Sequence, residues 1–593
     1  MRITGTFEKS RNFGFVIPDN HNIKGDIFIS KSNWKKAKNN QKVLVEITKK
    51  ASKDKKAEGR IIEILKDINE IDLDMMTMVE EFKLPYEFPK KVIEEAKRIS
   101  KQKVSLKSRV DFRDKEIFTI DGEDAKDLDD AVSVELNEDG TYNLGVYIAD
   151  VSHYVKEESE LDKEAIIRGT SVYMFDRVIP MLPTQLSNGC CSLNTGKDRY
   201  AICVNMRINQ KGQVIDSDIK KCVINVTKRM SYNEVTAILE GNSKEYIDNS
   251  NKYKSEKYVN KVLKENEQFF NHFMRMRDLA EILKNKRKKD GYLSLDIPES
   301  KITLSKIGKP LNVEPYETTI SNDIIEQFML IANETVAEHF YWLNAPFIYR
   351  VHDKPSEEKI KELNKYLFSF GYRIKGKKDD VKPKAFSQIL DDVKGKEEEN
   401  VVSNLLLRTL KIARYEATNK GHFGIASKFY CHFTSPIRRY PDLFIHRVIS
   451  KYLESNYVLS EELINKLNIL ATIYAESSSI CEQNATKAER ESKDMKKAEY
   501  MEQHLWEEYD GIVSGVTNFG LFVQLHNTIE GLVRFENMGN EYFTYDEEKK
   551  TLTGENSGKK YKLGDSVKVR VIEARKDTRK CAFELINNWA LLH

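Results

Sequence analysis

The sequence predicts a multidomain α+β protein in which two small β-barrels bracket a larger mixed domain. Three observations carry this reading. The 593 residues exceed what one hydrophobic core supports. Short alternating strands, punctuated by turn residues, occupy both ends of the chain. Between them the pattern changes, from longer strands near residue 117 to helical periodicity beyond 320. The hydrophobic fraction of 40% and charged fraction of 32% are those of a globular chain. No apolar run approaches the ~20 residues of a bilayer span, so no membrane association is expected. The start, "MRITGTFEKSRNFGF", lacks the apolar core of a secretory signal, and the seven cysteines include no CxxC pair. Reduced thiols, a cytoplasmic location and no structural zinc follow as expectations.

Residues 1–68 read as the first barrel, with strands in "ITGTFEKSRNFGFVIPD", "DIFISK", "KVLVEITKK" and "GRIIEIL". The first 60 residues hold 15 Lys/Arg against 6 Asp/Glu, in a chain whose net charge is only +3. That surplus suits a polyanion-binding module or a solubilising surface equally. Phe13, Phe15 and Phe28 alternate within strands among basic residues, which places them either in the core or on an outer platform where unpaired bases stack. "NFGFV" and "DIFI" resemble the nucleic-acid-contacting strands of cold-shock domains, which are OB-fold barrels, and this resemblance implies the platform.

Residues 69–118 form a connector leading into the central domain, with a helix expected over "KKVIEEAKRISK". The domain itself, 119–507, opens with strands "EIFTI", "AVSVEL" and "YNLGVYIADV", the last two joined by the hairpin turn "NEDG". Helices are expected at "DIIEQFMLIANETVAEHFYWL", at "NLLLRTLKIARYEA" and along 461–508. Residues 508–593 return to alternation in "DGIVSGVTNFGLFVQL", "IEGLVRF", "GDSVKVRVIEARKD" and "KCAFEL". This second barrel resembles an S1 RNA-binding domain, also an OB-fold, with Phe519, Phe522 and Phe535 as candidate stacking rings. Neither a Walker loop nor a GxGxxG occurs, so no nucleotide cofactor is expected.

One stretch needs a physical explanation: "DGEDAKDLDD", residues 121–130, carries six carboxylates and one lysine. Two unit charges ~4 Å apart repel by roughly 4 kcal/mol at the effective dielectric of a protein. Either the run is a solvated loop, or a cation neutralises it. The apolar residues Ile117, Phe118 and Ile120 before it and Ala131, Val132 and Val134 after it argue for a fixed loop. A ligand set of carboxylate oxygens alone selects a hard cation, Mg²⁺ or Mn²⁺. An EF-hand is excluded, because position six from Asp121 is Lys126 and position twelve is Val132.

"TIDGEDAKDLDDAV", "LGVYIADVSHYV", "GTSVYMFDRVIPMLP", "YRVHDKP" and "HFTSPIRRYPDL" together resemble the catalytic domain of the RNase II/RNase R exoribonuclease family. "RNFGFVIPD", "SNGCCSLN" and "NETVAEHF" lie closest to its bacterial ribonuclease R branch. The resemblance implies Mg²⁺-dependent, processive 3′-to-5′ hydrolysis of single-stranded RNA to 5′-mononucleotides, acting on RNA with a free 3′ end, structured RNA with a 3′ overhang included. It places the four catalytic aspartates at Asp121, Asp127, Asp129 and Asp130. We assign Asp121, Asp127 and Asp130 as main metal ligands and Asp129 to orienting a metal or the attacking water. Arg438 matches the active-site arginine that neutralises transition-state charge, with Arg439 as its competitor. Tyr173 matches the tyrosine stacking on the 3′-terminal base, and Glu489 the glutamate near the terminal ribose.

His153, His352, His422, His432 and His446 lie near these motifs but have no metal spacing, and are read as structural. Relative to the family pattern of two cold-shock domains and a lysine-rich tail, the sequence is expected to be shortened at both ends. A monomer is expected. A non-catalytic RNA-binding protein and a metal-dependent endonuclease are the rival readings.

Overall fold

A computed structural model describes residues 2–19, 23, 25–51, 56–65, 70–293, 299–374, 381–396, 398–547 and 550–586. The N-terminal strands β1 (Arg2–Lys9), β2 (Phe13–Pro18), β3 (Ile27–Ser30), β4 (Gln41–Lys49) and β5 (Glu58–Ile64) close into a barrel of order β1-β2-β3-β5-β4. Alternation decides which side chains enter it. Phe7, Val16, Ile27 and Ile29 fill the interior, while Phe13, Phe15 and Phe28 lie outside with ring centroids 5.5–5.9 Å apart. Gly14 is required here, because a Cβ would sit 2.3 Å from the Phe7 ring.

The connector carries the expected helix, Lys90–Ile99, and an additional one, Glu70–Glu81, which the sequence reading did not include. The central domain is built on a seven-stranded sheet of β6 (Val110–Phe112), β7 (Phe118–Asp121), β8 (Asp130–Leu136), β9 (Tyr142–Ala149), β12 (Asp198–Ile208), β13 (Val214–Asn225) and β14 (Lys228–Ser231). Between β9 and β12 the chain forms a small hairpin, β10 (Val172–Tyr173) with β11 (Val178–Ile179). The sheet order is β14-β7-β8-β9-β12-β13-β6; the edge strands β14 and β6 pair in parallel and the rest antiparallel.

Period-two alternation serves both faces of this sheet. Val132, Val134, Leu144, Val146, Ile148, Ile202 and Val204 pack under helices Phe270–Asp290 and Ile320–Trp342. Ala131, Tyr147, Ala149, Ala201 and Cys203 point to a second cluster with Leu161, Leu186 and Ile437. Burial on both faces leaves the β7–β8 loop, residues 122–129, fixed at both ends by core strands.

Helix Glu461–Glu502 runs 42 residues, as the sequence suggests, but "NLLLRTLKIARYEA" does not stay helical. That helix stops at Thr409, and Arg414–Glu416 instead pairs with Tyr349–Val351, so tertiary pairing overrides the local period. The C-terminal strands Glu508–Thr517, Gly520–Leu525, Glu530–Arg534, Ser566–Arg575 and Lys580–Leu585 close a second barrel with the connectivity of the first.

The long helix carries this barrel on a buried charge network. Lys496, 1% exposed, donates to Asp74 (2.8 Å) and Glu499 (2.6 Å), and Lys576 of the barrel reaches the same two carboxylates. Arg579 adds pairs to Glu81 and Glu491. Among the described residues no helix is long and apolar enough to cross a membrane.

Candidate active site

The acidic loop is held from two sides by groups distant in sequence. From one side, the fully buried Ser192 hydroxyl donates to the Lys126 carbonyl (2.8 Å) and accepts from the Leu128 N–H (3.1 Å). Leu193 N–H then donates to the Leu128 carbonyl (3.0 Å). From the other, one nitrogen of Arg229 donates to the carbonyls of Gly122, Glu123 and Ala125. Glu123 faces outward and accepts from the Tyr253 hydroxyl (2.7 Å). The loop therefore disperses part of its charge into exposed Glu123 and Asp124, while Asp121, Asp127, Asp129 and Asp130 turn inward.

Burial is the dominant electrostatic fact for three of these four. It pushes Asp121 up to about 6, against the pull of Arg229 and with a further push from Asp127. It pushes Asp130 up to about 8, with Asp121 adding to the rise. Asp129, 4% exposed, is also raised well above the usual carboxylate range by burial, with Arg438 and the Ile437 N–H opposing. Each of the three has one buried oxygen, Oδ2, that finds no hydrogen-bond donor. Buried polar atoms are normally satisfied, so three unmatched carboxylate oxygens in one loop mark an unmet need for positive charge.

Arg438 meets part of that need. Its Nε lies 3.8 Å from Asp129 Oδ2, and the Ile437 N–H donates to Asp129 Oδ1 at 2.8 Å. Arg438 is 42% exposed and free to face a ligand, whereas Arg439 is bound at 2.7 Å to Asp442, a carboxylate with no exposure. The geometry therefore separates the two adjacent arginines: Arg439 is committed to the fold, and Arg438 stays open to solvent beside Asp129.

The hairpin bearing Tyr173 docks on the same spot. Ser171 N–H donates to the Arg438 carbonyl (2.9 Å), and the Tyr173 hydroxyl donates to Asp127 (3.3 Å). Glu489 of the long helix accepts from the Tyr173 N–H at 2.7 Å, and burial raises its carboxyl. Gly169 makes this approach possible: its φ of +66° and its closeness to Cys481, 2.5 Å from where a Cβ would lie, bring the segment against that helix. The aspartates, Arg438, Tyr173 and Glu489 thus converge from positions spanning 121–489.

Tyr232, absent from the sequence reading, belongs with them. It opens the helix Tyr232–Glu240 directly after β14, and its hydroxyl is raised by burial first and then by the charges of Asp130 and Asp121. The five histidines near the motifs stay outside the cluster. His432 bonds Tyr415 (2.8 Å), His446 bonds the Phe433 carbonyl (2.8 Å), His352 accepts from Gly424 N–H (3.0 Å), His153 packs on Tyr200, and His422 packs against His352.

The all-oxygen donor set and its three unmatched atoms fit a hard divalent cation in chemistry. As placed, and among the described residues, no three ligating side chains form a closed cage.

The stacking candidates divide. Phe13, Phe15 and Phe28 form one exposed platform, with Lys56 4.5 Å above the Phe15 ring. Phe519, 50% exposed, and Phe522 line a cleft of about 590 Å³ together with Lys497, Arg534, Arg579 and Lys580. Phe535 does not line that cleft and stacks on Phe543 with ring centroids 6.1 Å apart.

Comparison with known proteins matches three domain families along the chain: a cold shock domain over residues 15–89, an RNB domain over 109–455 and an S1 RNA binding domain over 507–585. Ribonuclease R of Thermotoga maritima is 42% identical over 591 residues, covering 99% of this chain and 80% of that protein. The structure of Mycoplasma genitalium RNase R in complex with ribose methylated single-stranded RNA superposes with a TM-score of 0.89 at 25% identity, covering 99% of this chain and 90% of that one. Yeast Ssd1, a pseudonuclease, shares the fold at 18% identity and a TM-score of 0.67, over 93% of this chain and 67% of its own. The fold thus occurs with and without nuclease activity, so function rests on the site.

Proposed function

The chain belongs to the ribonuclease R family of RNB-domain proteins, and from that membership we propose that it is a Mg²⁺-dependent 3′-to-5′ exoribonuclease. It hydrolyses single-stranded RNA processively to 5′-mononucleotides. The observation that carries this is the set of unmatched buried oxygens on Asp121, Asp129 and Asp130 beside Arg438. A pseudonuclease has no need to maintain that arrangement, since unsatisfied buried carboxylates lower stability.

Asp121, Asp127 and Asp130 would hold the cation, and Asp129 would orient it or the attacking water. When bound, Mg²⁺ supplies charge stabilisation at the phosphate and a more acidic water. The chain's own groups do the rest. The Arg438 guanidinium faces the scissile phosphate and offsets the charge that grows on it. Asp129, fixed by the Ile437 N–H, orients Arg438. The Tyr173 ring stacks on the terminal base, and its hydroxyl, bonded to Asp127, sets the distance from ring to carboxylates. Glu489, already turned toward Tyr173, accepts from the terminal ribose hydroxyls, which favours RNA over DNA. The platforms at Phe13, Phe15 and Phe28 and at Phe519 and Phe522 hold the strand upstream by stacking.

The test is a 3′-labelled, 3′-tailed RNA incubated with Mg²⁺ or with EDTA, beside a circular RNA of the same sequence. The linear strand should yield mononucleotides only with Mg²⁺, and the circle should survive. Cleaved circles would establish an endonuclease, and an intact linear RNA that is nonetheless bound would establish a non-catalytic RNA-binding protein.

A further inference from the structure

Arg229 stands on β14, the edge strand that pairs in parallel with β7, at the position opposite Thr119, two residues before Asp121. Its Nη2 reaches the carbonyls of Gly122 (3.3 Å), Glu123 (3.0 Å) and Ala125 (2.7 Å). A single cationic nitrogen is therefore the centre around which residues 122–125 curl. Self-repulsion among the six carboxylates of 121–130 drives this segment open, and charge-assisted bonds from a guanidinium oppose that opening.

We propose that Arg229 is a positioning residue for the cation site: by clamping the backbone of 122–125 it holds Asp121 and Asp127, which flank the clamped segment, close enough to share one ion. The inference rests on the cation dependence proposed above, and Arg229 acts through the loop without touching RNA. Two effects of this residue have opposite signs, which makes them separable. Its positive charge near Asp121 disfavours cation binding, while the clamp favours it. Arg229→Lys keeps the charge, but its ammonium stands one bond nearer the backbone than Nη2 and so falls short of the three carbonyls. Arg229→Gln removes the charge and most of the clamp.

The experiment uses the full chain stripped of metal, titrated with Mn²⁺ and followed by the paramagnetic resonance of free Mn²⁺. Groups that orient metal ligands typically change affinity about 10-fold to 100-fold when removed, and both variants should weaken Mn²⁺ binding by about that factor. Amide exchange across residues 117–133, measured without metal, should quicken in both, with melting temperatures in EDTA close to the parent. An Arg229→Gln protein that binds Mn²⁺ as tightly as the parent or more tightly overturns the proposal, since that is the result of charge alone. So does an Arg229→Lys protein with parental affinity or unchanged exchange across the loop. A parent that binds Mn²⁺ but releases no nucleotides removes the proposed activity and leaves the clamp standing; a parent that takes up no Mn²⁺ removes the clamp.

Discussion

Asp129→Asn separates the catalytic demand on this carboxylate from any structural one. The amide is isosteric, and its oxygen can still accept from the Ile437 N–H that now bonds Asp129 at 2.8 Å. What is lost is the charge facing Arg438. At 3.8 Å a full ion pair is worth about 4 kcal/mol at an effective dielectric of 20. Arg438 is 42% exposed, so solvent screening reduces that to about 1 kcal/mol. On the other side stands the desolvation of a carboxylate that is 4% exposed, which costs several kcal/mol per ion. The balance favours a neutral group, in keeping with the raised affinity of Asp129 for its proton. The variant should therefore melt in EDTA at or slightly above the parent temperature. Its turnover should fall by about 10²–10³-fold, the usual loss when a group that stabilises transition-state charge, here the Arg438 that Asp129 orients, is no longer in place. Mg²⁺ should raise the melting temperature of parent and variant alike, since Asp121, Asp127 and Asp130 remain to hold it and binding at 100 times Kd contributes about 2.7 kcal/mol. Scanning fluorimetry with and without Mg²⁺, combined with single-turnover cleavage of a 3′-tailed RNA, reads all three. A clear drop in the EDTA melting temperature would make Asp129 a structural ion-pair partner, and parental turnover would remove it from the reaction.

The adjacent arginines should behave oppositely. Arg438→Ala should lose about 10²–10³-fold in turnover at parental stability, whereas Arg439→Ala leaves Asp442 buried and unpaired and should cost about 3–5 kcal/mol in urea unfolding; equal effects in both assays would refute the division. Tyr173→Ala should lengthen the final RNA fragment on a denaturing gel, and Tyr173→Phe, which keeps the ring but loses the bond to Asp127, should do so less; an unchanged ladder in the alanine variant counts against stacking there. In the metal-free protein Asp121 and Asp130 keep protons that an unfolded chain releases above about 4. Their contribution to stability is therefore full below about 4 and is lost as pH rises toward about 8. Mg²⁺ must displace the same protons, so its calorimetric affinity should rise between about pH 6 and 8 with measurable proton release; an Asp130→Asn protein with parental proton release would contradict this.

How much of this was legible in the sequence follows from the range of each interaction. Strands that flank the acidic loop are readable, because alternation is local and both sheet faces are apolar. The unmatched charge of 121–130 is readable too, since a run of carboxylates between core strands has few physical outcomes. What holds the loop is not: Arg229 and Ser192 lie more than sixty residues from their targets and look like an ordinary surface arginine and a turn serine. Only the parallel pairing of β14 with β7 and the docking of the segment just after the helical stretch Gln185–Cys190 reveal them. The Arg438 and Arg439 ambiguity had a local clue, for Asp442 stands three residues after Arg439 at a helix start, the spacing of a helical ion pair. Arg438 has no such helical partner and is left partly exposed beside Asp129. The misread helix at 404–417 shows the converse, a strong helical period that Tyr349–Val351 overrides by pairing with Arg414–Glu416. The same limit applies to Phe535: the sequence offers it as a candidate stacking ring, and only the hairpin carrying Phe543 shows which ring it meets within the chain. Chemistry that depends on clustered charge was visible in one dimension, and the groups that shape the cluster became visible only in three.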